Sequence, residues 1–158
     1  ASAQQQEKIL SYFQIGVEEG AEVLTGGAAA PMEGDLSGGY YIQPTILKGH
    51  NKMRVFQEEI FGPVVSVLRF KDLDEAVAIA NSTIFGLAGA VWTQDVSKAL
   101  WLARRIKSGT VWVNCYGKLP YQAEMGGFKQ SGIGRQYGED GLYEFTQLKH
   151  IGIDISTT

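Results

Sequence analysis

Apolar residues recur every four positions near the start of the chain, where Ile9, Phe13 and Val17 fall on one line and Leu10 widens it. That spacing predicts an amphipathic helix over residues 4–19, stopped by Gly20. Glu22–Thr25 reads as a short strand running into Gly26-Gly27, and the small, polar, glycine-rich stretch 28–39 reads as a loop. Residues 40–47 predict a strand interrupted by Pro44. Proline has no N–H to give to a ladder, so this strand is expected at an edge or a bulge. The run VVSVLRF within 62–70 predicts a further strand.

The period then changes. Asp72 stands where a helix N-cap would, Glu75 lies three residues on as a capping-box partner, and Leu73, Ala76, Val77 and Ala80 form one face. Residues 87–93 predict a strand. Asp95 opens a second helix, with Val96, Ala99, Leu100, Ala103 and Ile106 expected inward and Gly109 as its stop. TVWVN at 110–114 has the composition of a buried strand. A glycine-rich loop, a short helix near 139–145 and a final strand over 149–155 complete the pattern. Strands alternating with helices predict an α/β fold, a mostly parallel sheet with flanking helices. The chain's 158 residues are the size of one domain, and no repeat or dividing linker is visible. The final segment alternates apolar and polar positions; an open edge of that kind invites pairing, so 147–158 is expected to make contacts in a homo-oligomer.

Composition changes little in this picture. The chain is 44% hydrophobic and 20% charged, with a net charge of −3. Neither nucleic acid nor a membrane surface is an expected partner. Glycine, at 20 residues, falls in clusters and so points to turns rather than to disorder. The single cysteine, Cys115, leaves no internal disulfide and fits a reducing, cytoplasmic setting. The N-terminal residues lack the basic and apolar regions of a signal peptide.

No self-contained active site is visible. His50 and His150 each stand alone, and no cysteine–histidine spacing suggests zinc. Cys115 ends a buried-type strand with no histidine near it in sequence, so it reads as a packing residue rather than a nucleophile. Gly132, Gly134 and Gly138 give only a partial dinucleotide fingerprint and read as a tight turn leading into a helix. Gly126-Gly127 reads as a place of close backbone approach. Glu58-Glu59 before Ile60-Phe61-Gly62-Pro63 leaves two readings open. One is a solvated loop; the other is a carboxylate and an aromatic that together bind a sugar hydroxyl and a flat ring.

Taken in order, QEEIFGPVVSV, TIFGLAGAVWTQD, GTVWVNCY and GGFKQSGIGRQYG resemble the aldehyde dehydrogenase superfamily over nearly the whole chain. The resemblance implies the C-terminal part of the catalytic domain plus a final strand. In that family a much longer subunit also carries a Rossmann-type cofactor domain and an oligomerisation arm. The reaction it implies is attack of a thiolate on an aldehyde, hydride transfer to NAD or NADP, and hydrolysis of the thioester. The family's nucleophilic cysteine, base glutamate and oxyanion asparagine match no residue here, so this chain alone is expected to be inactive. Its alternative role is a non-catalytic, self-associating piece.

The same resemblance implies that Glu59 holds the nicotinamide ribose and Phe61 lies beside the nicotinamide ring. It also implies that Cys115, Tyr116, Gly117, Leu119 and Met125 line the path of a small aldehyde. Two positions depart from the family pattern. Met125 stands where many relatives have an aromatic, and Gln136 where glutamate is common. Residues 49–67 are most like acetaldehyde-type enzymes, and residues 119–135 most like betaine-aldehyde or broad-range branches, so the substrate stays open.

Overall fold

The computed structural model describes residues 2–156, which form two compact units divided between Lys71 and Asp72. The division between Lys71 and Asp72 was not marked by any linker. It falls in the charged stretch KDLDE, after the last strand of one sheet and at the cap of the next helix.

The first unit begins with α1 (Ala3–Glu18), capped by Ser2, whose hydroxyl accepts from the Gln5 N–H at 3.2 Å. Its apolar line does what the period requires: Ile9 and Phe13 are buried, packed in one cluster with Leu47, Met53, Val55 and Ile60. Beneath lies a three-stranded sheet in the order β1 (Glu22–Thr25), β2 (Thr45–Lys48), β3 (Val64–Val67). The β1–β2 pairing is antiparallel and irregular near Val23 and Thr25, whereas β2–β3 is parallel.

The strand expected at an edge is therefore the central one. Pro44 escapes the ladder by standing just before β2, and the first ladder donor is the Thr45 N–H, bonded to the Pro63 carbonyl at 2.9 Å. Leu47 on β2 is fully buried, worth roughly 1.5–3 kcal/mol of transfer free energy. A single helical turn, α2 (Arg54–Gln57), escapes sequence inspection because four residues are too few to show a period.

The second unit contains α3 (Leu73–Asn81), β4 (Phe85–Gly86), β5 (Ala88–Val91), α4 (Val96–Ala103), β6 (Thr110–Val113), β7 (Phe128–Lys129) and α5 (Gly138–Tyr143). Asp72 caps α3 as expected, accepting from the Glu75 N–H at 2.8 Å. β5 and β6 pair in parallel, and β4 and β7 antiparallel. The fold is thus α/β, with parallel pairings at β2–β3 and β5–β6, but its strands form three small sheets of mixed sense.

Two expectations need correction. On α4 only Ala99 is buried; Val96 is 72% and Leu100 50% exposed, because the described residues leave that face uncovered. No strand forms over 149–155: Ile151 and Ile153 are exposed, and no sheet strand among the described residues runs beside them. Positions 157 and 158 of the expected terminal strand lie outside the described residues.

The accessible surface is 11593 Å². A compact monomer of this mass would expose about 7,800 Å², and even two separate bodies of half the mass only about 9,400 Å². Much of the excess is apolar, with Ile133, Phe145 and Leu148 each more than nine-tenths exposed. Among the described residues no helix is long and apolar enough to cross a membrane.

Candidate functional site

Two clusters of candidate residues exist, one in each unit. In the first, residues 58–63 link α2 to β3. Ile60 is buried in the core, while its neighbours Glu59 and Phe61 face outward, the Phe61 ring 71% exposed. Phe61 also has a φ of 56°, in the left-handed region that costs a bulky residue roughly 1–2 kcal/mol.

What holds this backbone in place is α1. Gln5 donates from Nε2 to the carbonyls of Phe61 at 2.8 Å and Ile60 at 3.3 Å, and Lys8 donates from Nζ to the Glu59 carbonyl at 3.0 Å. Gln5 and Lys8 are three residues apart and so share one helix face. The Lys8 ammonium also stands 5.8 Å from the centre of the Phe61 ring, within cation–π range. Neither residue was singled out in the sequence, since nothing local connects them to a loop more than fifty positions away.

The adjacent carboxylates have different tasks. Glu58 accepts from two guanidinium nitrogens of Arg54, Nε at 2.8 Å and Nη2 at 3.0 Å, and from the Tyr12 hydroxyl at 2.7 Å. Hydrogen bonds from Arg54 and then Tyr12 pull its pKa down to about 2. The same carboxylate pushes the Tyr12 phenol above its ordinary value, through the hydrogen bond first. Arg54 in turn donates its N–H to Glu19 at 2.7 Å. Glu58 is thus a strut between α1 and α2. The Glu59 carboxylate is exposed and takes no hydrogen bond or ion pair from the described residues. Of the pair, only Glu59 is open to a ligand.

In the second unit Cys115, Tyr116, Gly117 and Leu119 lie on one loop at the end of β6. Cys115 and Leu119 are half-buried and Tyr116 is exposed. Gly117 turns the loop at a φ of 73° that favours glycine. Two anchors, both missed in the sequence, fix this loop. The Trp112 indole N–H donates to the Lys118 carbonyl at 2.8 Å, and its ring lies 5.0 Å from that of Tyr116. Asn114, at a φ of 55°, accepts from the Thr93 N–H at 2.8 Å and donates to the Thr93 carbonyl at 2.8 Å. The available signal was an asparagine at a strand end, one of the few residues besides glycine that tolerate that backbone.

Met125 lies elsewhere in the unit, in a cleft of about 340 Å³ that it lines with Leu87, Arg135, Gln136 and Phe145 and that residues 115–119 do not reach. Gly126 permits the close approach expected there: a Cβ on it would sit 2.5 Å from the Gly134 carbonyl oxygen. The glycines at 132, 134 and 138 form turns that lead into α5, as the partial fingerprint suggested.

The outward-facing Glu59 beside the exposed Phe61 ring and the loop that follows β6 belong to a sequence with many known relatives. The model of the aldehyde dehydrogenase family matches residues 1–151, and the chain belongs to that family. It is 56% identical over 156 residues to an aldehyde dehydrogenase of Paracoccus denitrificans, covering 99% of this chain and 31% of that protein. It is 54% identical to acetaldehyde dehydrogenase 2 of Cupriavidus necator, again covering 99% of this chain and 31% of the relative.

Among solved structures, betaine aldehyde dehydrogenase of Staphylococcus aureus in complex with NAD+ superposes with a TM-score of 0.87 at 44% identity, over 91% of this chain and 28% of that one. An indole-3-acetaldehyde dehydrogenase complexed with NAD+ gives 0.88 at 46% identity, over 94% and 30%. The chain thus spans about three-tenths of the length of these relatives.

Proposed function

We propose that this chain is the C-terminal part of an NAD(P)-dependent aldehyde dehydrogenase, supplying the nicotinamide side of the cofactor site and one wall of the aldehyde path. The observation that carries this is the outward presentation of Glu59 and Phe61 from a backbone fixed by α1. The donor set fits the cofactor. A carboxylate with no protein partner has both oxygens free to accept from two ribose hydroxyls, and the exposed Phe61 face suits a flat heterocycle. When bound, NAD+ or NADP+ accepts the hydride of the oxidised aldehyde. Glu59 fixes the ribose and thereby the ring's orientation, and Phe61 excludes water from one side of it.

NAD is supported by relatives solved with NAD+; a choice between NAD and NADP depends on residues at the adenosine end, which this chain does not supply. Cys115, Tyr116, Gly117 and Leu119 supply one stretch of the aldehyde wall and Met125, in its separate cleft, another; the substrate is a small aldehyde. On its own the chain does not turn over, because the attacking thiol and the base match nothing in it. Purified chain with acetaldehyde and NAD+, then NADP+, is expected to form no reduced nicotinamide. Turnover abolished by alkylating Cys115 would show that the chain holds its own nucleophile. In the complete enzyme, Glu59→Ala removes a charged acceptor and is expected to raise KM for NAD(P)+ about tenfold or more.

The excess apolar surface favours a second role for the chain in isolation, a self-associating piece. Sedimentation would then show oligomers that dissociate on dilution, and a monomer at all concentrations would remove this role.

A further inference from the structure

We propose that Asn114 is a positioning residue for substrate selection, fixing the shape of loop 115–119 by its grip on Thr93; this rests on the assignment of that loop to the aldehyde wall. Asn114 ends β6, where its N–H still bonds the Val91 carbonyl at 2.8 Å. From there its side-chain amide closes a two-bond ring with the Thr93 backbone, acceptor to N–H and donor to carbonyl. Thr93 is itself tied to the start of α4, because its hydroxyl accepts from the Asp95 N–H at 3.1 Å and Asp95 caps the helix at Lys98. The chain direction at Cys115 is therefore set by the end of β5 and the cap of α4, through one side chain held at a positive φ.

The far end of the loop has an independent anchor, the Trp112 indole on the Lys118 carbonyl. Between the two anchors, Cys115, Tyr116 and Gly117 take no side-chain hydrogen bond from the described residues, and the Tyr116 ring leans on Trp112. Releasing Asn114 leaves the wall tethered at one end. Wall position then changes while the ribose clamp, on the other unit, keeps its own supports.

The chain offers a direct probe, since Cys115 is its only cysteine. Asn114→Gly keeps the positive φ and removes both amide bonds, while Asn114→Asp keeps the acceptor and loses the donor. In the isolated chain, Asn114→Gly is expected to raise the rate of Cys115 alkylation several-fold, with Asn114→Asp between it and the parent. In the complete enzyme, Asn114→Gly is expected to change the ratio of kcat/KM for long over short aliphatic aldehydes about tenfold, the lower end of the scale on which an apolar pocket senses a methylene. The change is expected in aldehyde KM, with KM for NAD(P)+ unmoved.

Tyr116→Ala separates the two levels. If it alters aldehyde selectivity while Asn114→Gly and Asn114→Asp do not, Asn114 is not a positioning residue. If neither Tyr116→Ala nor the Asn114 variants alter selectivity, the assignment of the loop to the wall fails and this proposal with it. Unchanged Cys115 alkylation in both Asn114 variants also overturns it.

Discussion

Met125 and Gln136 exchange both of their backbone hydrogen bonds, each N–H reaching the other's carbonyl at 2.7 Å. They form an isolated antiparallel bridge, and both line the cleft beside Arg135. In such a pair the two side chains stand on the same face. The two positions at which this sequence departs from the family pattern are therefore neighbours in space, although eleven residues apart in the chain.

Because the bridge uses main-chain atoms, the side chain at 136 is free to vary. Gln136→Glu is expected to change stability by no more than about 0.5 kcal/mol. Gln136→Pro removes the donor to Met125 and is expected to cost about 1–3 kcal/mol. Urea unfolding of the three proteins decides this, and equal losses in both variants would show that the amide of Gln136 matters.

Glu58 gives a pH signature. Its pKa falls from about 4.5 to about 2 on folding, under Arg54 and Tyr12. The ionised form is favoured by the fold, so its contribution is complete above the ordinary carboxylate range. The contribution fades as pH falls below about 4.5 and is lost by about 2. The Glu58 side chain is 39% exposed, and solvent screening holds the contribution to at most about 1 kcal/mol. The parent is expected to be more stable than Glu58→Gln at neutral pH and equal to it near pH 2. A stability difference that stays constant over this range would contradict the strut.

Phe61 trades stability for placement. Phe61→Gly removes the left-handed penalty of roughly 1–2 kcal/mol and adds roughly 0.4–1 kcal/mol of unfolded-chain entropy. The exposed ring contributes little to the core. The variant is expected to be as stable as the parent or up to about 1 kcal/mol better, while binding NAD(P)+ more weakly in the complete enzyme. Thermal melts and cofactor titration measure the two effects separately, and a clear loss of stability would mean the ring is part of the packing.

Gln5→Ala removes two donors to the loop carbonyls, and Lys8→Ala removes a third. Each is expected to weaken NAD(P)+ binding about three- to tenfold, with the double variant weaker than either, since each hydrogen bond contributes roughly 0.5–1.5 kcal/mol to the loop's order. Unchanged cofactor affinity in the double variant would show that Glu59 and Phe61 keep their places without α1.

What the sequence revealed was local. α1 was expected at 4–19 and runs Ala3–Glu18; β1 has the expected bounds; Asp72 caps α3. Each depends on residues within a few positions of one another. The central place of β2 was not visible, because Pro44 only bars a ladder bond at its own position and says nothing about which strands flank the next four residues. Val96, Leu100, Ile151 and Ile153 show the complementary failure. An apolar period marks a face that favours a cover, but not whether this chain holds the cover.

The site divides in the same way. Glu59 and Phe61 were legible as a carboxylate and an aromatic at a turn, and their roles came only with the resemblance. That Glu58 is a strut and Glu59 is not depends on Tyr12, 46 residues away. Asn114 and Trp112 were read as strand residues, because their polar atoms act only once the loop has turned back on β6.

The bond from Gln5 to the Phe61 carbonyl spans 56 residues, and this fixes an order of assembly. Contacts of long sequence separation form only after the entropy of closing the intervening chain has been overcome. The pairing of β2 with β3 encloses a much shorter segment and does not require α1. The loop that presents Glu59 is therefore expected to be among the last parts of the first unit to acquire its shape. During synthesis α1 is made before residues 59–61 and must wait for them, so this loop is expected to take its shape in a late, slow phase, after most of the unit's secondary structure is present.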